Sequence, residues 1–373
     1  MPKQYIQNYL SLHGVDKLVS LNTTVEDVTR IQPSKESPSP GWSLTLRRHN
    51  AIRDVDEWWR EEFDALIIAS GHYSVPYIPH VPGLEDYMRR FPEKVFHSKS
   101  YRSAAVFANK KVMVIGNSAS GHDIATILAP QVKSPLYQSR RSKSPWDGED
   151  PPAGIVWKPI ISRYDSQSGT IFFADNTQLE SEEVDYVIYC TGYKPSFPWW
   201  NSKANGGDLW DYSANRLVGS WQHTFFKSHP TLGLVGMPRT LTFRSFEYQA
   251  VALARVFAGR NRSALPDAQT MQSWERSRDD LCRREARKFH DIPWENGETL
   301  EYFAALFELA GLPLLSGEGR CPPVVDEATR WAVENVRKYP VPGKSLVSQN
   351  EEEETREGWT VVRPAKEGVL HFI

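Results

Sequence analysis

The sequence predicts an α/β protein with a helical C-terminal segment. Three observations carry this. Short apolar runs that lead into glycine recur at 63–71, 110–115 and 184–190, the pattern of strands buried on both faces of a parallel sheet. The run at 110–115 passes through a glycine- and serine-rich turn into a helical stretch, 121–128, stopped by Pro130. From Leu265 onward the pattern is helical only, charged at 267–288 and amphipathic at 298–310 and 325–338. Strand–helix alternation followed by a run of helices belongs to the α/β class with an appendix.

The remaining elements follow in chain order. Residues 5–20 read as a short amphipathic helix ending near Gly14, with a strand from Lys17 to Leu21. Residues 25–31 and 42–48 alternate in polarity and predict strands separated by the turn-rich stretch 33–41. A charged stretch, 53–62, leads into the run at 63–71, so a small antiparallel sheet returns to a buried parallel strand. Pro76, Pro79 and Pro82 make 73–83 an extended linker. Short strands are expected at 136–139 and 232–235, loop and hairpin at 154–179, and a helix at 246–257 closed by Gly259. Residues 341–373 are polar, with four successive glutamates at 351–354, and predict a disordered tail.

Composition bounds the partners. The 373 residues carry a net charge of −2 with lysine and arginine scattered, which gives no basic stripe for nucleic acid. No apolar run approaches the ~20 residues of a membrane span. The 3 cysteines, Cys190, Cys282 and Cys321, are far apart. They support neither a metal cluster, nor a disulfide framework, nor a dithiol pair, and a cytoplasmic, reducing setting fits them. Tryptophan pairs such as Trp199-Trp200 fit core packing or the wall of a flat-ligand site.

The chemistry-bearing segment is the turn Gly116-Asn117-Ser118-Ala119-Ser120-Gly121. A dinucleotide pyrophosphate needs backbone N–H groups at a helix N-terminus and small residues that let the backbone come close. Gly116 suits the tight turn and Gly121 the packing of helix on strand. Ser118 stands where a second glycine is usual, its Cβ crowding the phosphates while its hydroxyl can donate to them. About twenty residues on, Ser139-Arg140-Arg141 ends the next strand with no acid for a ribose diol. Arginine forks there suit the 2′-phosphate of NADP. Thr191 and Gly192 follow another buried strand, where open α/β sheets bind ligands.

Several segments resemble the flavin-containing monooxygenases. The family fingerprint Phe-x-Gly-x-x-x-His-x-x-x-Tyr is matched by Phe91, His97 and Tyr101, with Glu93 in place of its glycine. Tyr101 rather than tryptophan separates this group from Baeyer–Villiger relatives. The stretch 116–125 is similar to the family's second glycine motif. Cys190-Thr191-Gly192-Tyr193 is similar to its Thr-Gly-Tyr motif, Ile68-Ala69-Ser70-Gly71 to its Ala-Thr-Gly linker, and Glu247-Tyr248-Gln249-Ala250 to its Glu-x-Gln-Ala helix. The matches run in family order over roughly 5–262.

The resemblance implies two interleaved Rossmann-like dinucleotide-binding domains, the FAD domain incomplete at its N-terminus because the family's opening Gly-x-Gly-x-x-Gly is not seen, plus the C-terminal helical segment. The implied divisions are 1–103 and 194–262 for the FAD domain, 104–193 for the NADP(H) domain, 263–340 for the helical segment and 341–373 for the tail. It further implies an NADPH- and FAD-dependent monooxygenase that oxygenates a small molecule with O2 at nitrogen, sulfur or a similar centre, through a flavin C4a-hydroperoxide. The alternative is an NADP-binding remnant without independent catalysis. The expected cofactor contacts are residues 116–121, Ser139, Arg140, Arg141, Thr191, Gly192, Ser70, Gly71 and His97, the last equally a structural histidine. No catalytic acid, base or nucleophile and no metal ligand is expected, since the cofactor carries the chemistry.

Overall fold

The computed structural model describes residues 2–32, 41–144, 147–240, 242–294, 296–311, 325–337, 355–356 and 359–361. They fall into two units, Met1–Gly71 with Ser196–Pro322, and His72–Pro195 with Pro323–Ile373.

In the first unit the strands Thr23–Ile31, Gly41–Asn50 and Val55–Phe63 form an antiparallel meander. Alternation buries Trp42, Leu44 and Leu46 against Val28, Trp200, Leu217 and Leu232. The charged stretch is therefore itself the third strand of the meander. Its carboxylates pair across the sheet, Asp56 with Arg47 at 3.3 Å and Glu57 with Arg48 at 3.2 Å, while Glu26 meets Arg47 at 2.6 Å from the other side. Such cross-strand pairs stabilise a strand that has little apolar surface to bury. The strand expected at 17–21 does not form. Asp16–Leu18 is a 3-10 turn, and the sheet starts at Thr23.

A second sheet of this unit orders Ser220–Trp221, Phe225–Phe226, His229–Leu234 and Leu66–Ile68, the last two parallel. Helix Thr242–Phe257 packs against helix Glu298–Ala310 through Tyr248, which meets Phe303 and Phe307 edge-on at 4.6 and 4.7 Å. Helices Ala268–Arg284 and Glu298–Ala310 thus belong to this unit, whereas helix Glu327–Asn335 falls in the other, and no unit boundary falls at 262. Gln249 is fully buried; its Oε1 accepts the Gly236 N–H and its Nε2 donates to Thr224. Trp200 and Trp210 are buried core residues.

Where helix Ala268–Arg284 meets the sheet lies a buried histidine pair. The Nε2 of His290 accepts the Leu217 N–H at 3.1 Å, which leaves its proton on Nδ1. That proton is donated to the Nδ1 of His223 at 2.9 Å. Trp274, Phe289 and Tyr302 ring His223 with apolar surface. Burial holds the His223 imidazole well below its ordinary value, and His290, Arg278 and Arg287 push the same way.

The second unit is built on a five-stranded parallel sheet ordered Val95–His97, Tyr186–Tyr189, Val112–Ile115, Leu136–Ser139, Ile155–Lys158. From the central Val112–Ile115 the chain steps to one side, through Leu136–Ser139 and Ile155–Lys158, then returns to the other side with Tyr186–Tyr189. The order therefore reverses between Val112–Ile115 and Tyr186–Tyr189, which is a topological switch point. Ile155–Lys158 lies within the stretch expected as loop and hairpin. Three antiparallel strands follow it, Ile161–Tyr164, Ile171–Phe173 and Gln178–Leu179. The junction between units falls at 71, not 103, because Val95–His97 pairs with Tyr186–Tyr189 and Tyr87 is wholly buried with Val187 and Tyr189. The expected tail lies largely outside the described residues. Within them, Thr355–Arg356 and Trp359–Val361 pair in a sheet with Val336–Arg337.

Glu93 has φ +68°, the left-handed region, at the position where the family fingerprint places glycine. Its side chain is exposed, so glycine there forfeits no packing. Glu93→Gly is expected to raise stability by about 0.5–1 kcal/mol, strain relief outweighing the added freedom of the unfolded chain. A lowered midpoint in thermal or urea unfolding would contradict this. The depressed His223 value has a definite sign. Its contribution is fully present above an ordinary imidazole pKa near 6.5 and is lost as pH falls below it. Unfolding monitored from pH 7.5 to 5 should therefore show stability falling by up to about 1.4 kcal/mol per pH unit from this one group. His223→Asn, which tolerates the local φ of +52°, should be less stable overall yet flatter in pH. An unchanged slope would rule out His223 as the source.

Candidate functional site

The glycine turn sits at the switch point. Strand Val112–Ile115 is completely buried and delivers Gly116 with φ +107° beside Cys190, the residue that follows strand Tyr186–Tyr189. A Cβ on Gly116 would lie 2.6 Å from the Cys190 carbonyl oxygen. A Cβ on Gly121 would lie 2.2 Å from the Gly116 carbonyl oxygen. Neither approach admits a side chain, so both glycines are required by contact. Helix Ala119–Leu128 begins two residues earlier than the sequence pattern places it, with Ser118 as its N-cap.

The Ser118 hydroxyl makes no capping bond, and Ser118, Ala119 and Ser120 are exposed. Amides in a first helical turn have no intrahelical acceptor, and the helix dipole adds partial positive charge there. The turn therefore presents an anion cradle to solvent at the sheet's C-terminal edge.

Residues that sequence reasoning missed hold this cradle in shape. Gln138 is buried and its Nε2 donates to the carbonyls of Gly116 at 3.1 Å and Gly121 at 3.4 Å. The Ser144 hydroxyl donates to the Asn117 carbonyl at 2.7 Å. Asp147 returns from the following loop to accept, on the single oxygen Oδ2, the Asn117 Nδ2 (2.6 Å), the Ser144 N–H (2.9 Å) and the Arg140 Nη1 (3.1 Å). Arg140 in turn lies flat on Trp157, its guanidinium carbon 3.4 Å from the ring centroid. A spacing rule looks for an acid at the strand end. An acid that folds back from a loop has no such signature.

The expected contacts divide into two groups. The turn residues 116–121, Arg140, Arg141, Thr191 and Gly192 gather at the ends of adjacent parallel strands. Arg141 is exposed. Gly192 has φ +82°, with open space where a side chain would project. The Thr191 hydroxyl donates to the Tyr77 carbonyl, and the Gly192 carbonyl accepts the Tyr77 N–H at 2.9 Å, which ties the proline-rich linker to this edge.

Ser139 is corrected, and His97, expected equally as a cofactor contact or a structural histidine, is buried. Ser139 is buried and its hydroxyl donates to the Pro159 carbonyl at 2.8 Å, so it supports the turn by accepting the Gly116 N–H instead of facing a ligand. His97 is buried against Tyr193, and its Nδ1 accepts the Lys99 N–H at 3.0 Å. Burial lowers its pKa, opposed by the Gly192 carbonyl. Ser70 and Gly71 follow strand Leu66–Ile68 in the other unit, exposed, with Gly71 at φ +70°.

Burial also decides what the thiol and imidazole near the turn can do. It pushes the Cys190 thiol up to about 12, which removes it as a thiolate. His122 on the helix is lowered by burial, opposed by Asp123 and Asp147. Among the described residues no group of His, Cys, Asp and Glu could hold a metal ion, and no helix is long and apolar enough to cross a membrane.

The open part of the turn is the exposed first helical turn at 118–120, whose free amides suit the oxygens of a pyrophosphate, while Gly116 and Gly121 are packed behind it against the carbonyls of Cys190 and Gly116. Among the described residues of the first unit no strand leads into a helix through a second Gly-x-x-x-x-Gly turn; strand His229–Leu234 reaches helix Thr242–Phe257 through Gly236 alone.

The chain is similar to known proteins. A family model described as flavin-binding monooxygenase-like matches residues 2–146. Trimethylamine monooxygenase of Roseovarius sp. (strain 217) is 31% identical over 85% of this chain and 64% of its own length. Senecionine N-oxygenase of Tyria jacobaeae is 28% identical over 84% and 63%. The structure of S-allyl-L-cysteine S-oxygenase from Allium sativum superposes with a TM-score of 0.66, covering 83% of this chain and 65% of that one at 23% identity, and shows a common fold. The chain thus spans less than two thirds of the length of each of these relatives. Family model, curated relatives and fold agree with the switch-point cradle: the chain belongs to the flavin-containing monooxygenase family.

Proposed function

We propose that the chain acts in an NADPH-dependent flavin monooxygenase reaction on a small molecule with a soft nitrogen or sulfur centre, and that its second unit is the module that binds NADP(H). The observation that carries this is the cradle at 116–121, closed by two glycine contacts and open at its first-turn amides, with Arg140 and Arg141 at the end of the neighbouring strand. The pyrophosphate is met by the amides of 118–121, and the adenosine 2′-phosphate by the arginines. Thr191 and Gly192 border the same crevice at the end of the adjacent strand. The relatives' names point to amines and a thioether as substrates, which supports a nucleophilic nitrogen or sulfur as the oxygenated centre. This chain's residues bind and orient the dinucleotide. No step is assigned to a flavin, because the described residues of the first unit offer no phosphate cradle for one.

Ser120 gives a clean test. It is exposed in the first turn of the helix, where a carboxylate favours the helix dipole and repels an anionic ligand. Ser120→Asp should leave thermal stability unchanged or slightly raised while weakening NADP+ binding by at least about tenfold in calorimetric titration, a loss of about 1.4 kcal/mol. Equal NADP+ affinity in variant and parent would overturn the cradle. The monooxygenase reading is tested separately, by adding FAD to the purified protein and following flavin binding and NADPH-dependent O2 uptake with amine and thioether substrates. Turnover supports it. NADP+ binding with neither flavin binding nor O2 uptake contradicts it and leaves a dinucleotide-binding protein without catalysis of its own.

A further inference from the structure

The arginine pair that ends strand Leu136–Ser139 is not electrostatically equivalent. Arg140 is pinned on both sides: Trp157 stacks beneath its guanidinium, and Asp147, whose side chain is 6% exposed, takes its Nη1 at 3.1 Å. Removed from bulk water, that carboxylate offsets the charge of its partner far more than a surface acid does. Arg141 has the opposite surroundings. It is exposed, and none of the ion pairs among the described residues includes it. Of the other cations, Lys143 is paired with Glu149, and Lys158, whose carbonyl accepts the Arg140 N–H, carries its ammonium over the rings of Tyr137 and Phe173.

We infer that Asp147 is a specificity-determining residue, which neutralises Arg140 so that Arg141 alone supplies the net charge distinguishing a 2′-phosphorylated dinucleotide from its 2′-hydroxyl counterpart. This rests on the reading of the second unit as a dinucleotide module. A 2′-phosphate carries roughly −1.5 to −2 charges near neutral pH, as other phosphate monoesters do, so one net positive charge answers it only in part. The consequence is a restrained preference for NADP+ over NAD+, held down by a carboxylate that touches the glycine turn through Asn117 and the arginine at once. Arg140 then serves chiefly as a flat, fixed surface over Trp157.

The geometry makes the charge separable from the shape. All three bonds to Asp147 converge on one oxygen, Oδ2. The amide oxygen of asparagine can accept the same three donors, so Asp147→Asn removes the charge and keeps the loop. The readout is the ratio of dissociation constants for NAD+ and NADP+, measured by calorimetric titration of each full-length protein. General damage to the fold moves both constants together and cancels in the ratio, whereas a charge beside the 2′-phosphate does not cancel.

Asp147→Asn is expected to raise the preference for NADP+ about tenfold. Asp147→Asn combined with Arg140→Gln, which removes both halves of the neutral pair, should return the preference to within about threefold of the parent. Arg141→Ala, at an exposed site that the fold does not need, should abolish it. An unchanged or lowered ratio in Asp147→Asn overturns the proposal, as does a preference retained by Arg141→Ala, which also decides the matter if the Asp147 variant does not fold. A parent protein that prefers NADP+ while Asp147→Asn leaves the ratio alone defeats only this proposal. A parent that binds neither dinucleotide defeats the reading of the second unit as well.

Discussion

Two backbone approaches govern the second unit. Gly116 lies against the carbonyl of Cys190, and Gly121 lies against the carbonyl of Gly116. The first contact brings the turn onto the neighbouring parallel strand at the point where strand order reverses. The second seats the helix directly on the strand that precedes it. Together they leave the helix N-terminus open to solvent while the glycines behind it are locked. Gln138, Ser139 and Ser144 then satisfy the turn's backbone groups, and Cys190 donates its own N–H to Ile115 at 2.7 Å. A buried polar frame of this kind fixes the cradle before any ligand arrives, which lowers the ordering cost of binding.

The same frame governs charge. Asp147 spends its carboxylate on the turn, on the loop backbone and on Arg140, so the cradle and the arginine platform form one hydrogen-bonded body. On the proposed reading, electrostatic selectivity for the dinucleotide is a matter of which cation remains uncompensated, not of how many arginines the strand end carries. The first unit is organised differently. Its core is an aromatic and aliphatic cluster beneath a charge-paired meander; Tyr248 joins helix Thr242–Phe257 to helix Glu298–Ala310, and the His223–His290 pair ties the segment after helix Ala268–Arg284 to the turn between strands Ser220–Trp221 and Phe225–Phe226.

Sequence reasoning located what depends on local pattern. The strand at Val112–Ile115, the turn after it, the strand Leu136–Ser139 and the helix ending at Phe257 all announce themselves through apolar runs, glycine and proline. It failed where tertiary context decides. The stretch 53–62 was read only as charged, within a small antiparallel sheet, and the structure makes most of it a strand paired with the arginines across from it. Ser139 was expected to meet a ligand because it stands beside the arginine pair, and His97, from the family fingerprint, was expected equally as a cofactor contact or a structural histidine. Which way a terminal side chain turns is set by the sheet, and both are buried and bonded inward. Asp147, Gln138 and Trp157 were invisible because their partners are distant in sequence or unmarked by any motif. Glu93 shows the converse: a departure from the family fingerprint that the backbone tolerates in a left-handed conformation.

The central claim is that the turn from Gly116 to Gly121, at the switch point of the parallel sheet, is where a dinucleotide pyrophosphate binds. Amide hydrogen exchange followed by mass spectrometry, with and without saturating NADP+, tests it most directly. The account predicts slowed exchange concentrated in peptides that cover 117–121, 139–142 and 191–193, with the meander of the first unit unchanged. Protection that falls elsewhere, or none at 117–121 under conditions where NADP+ is bound, would contradict it.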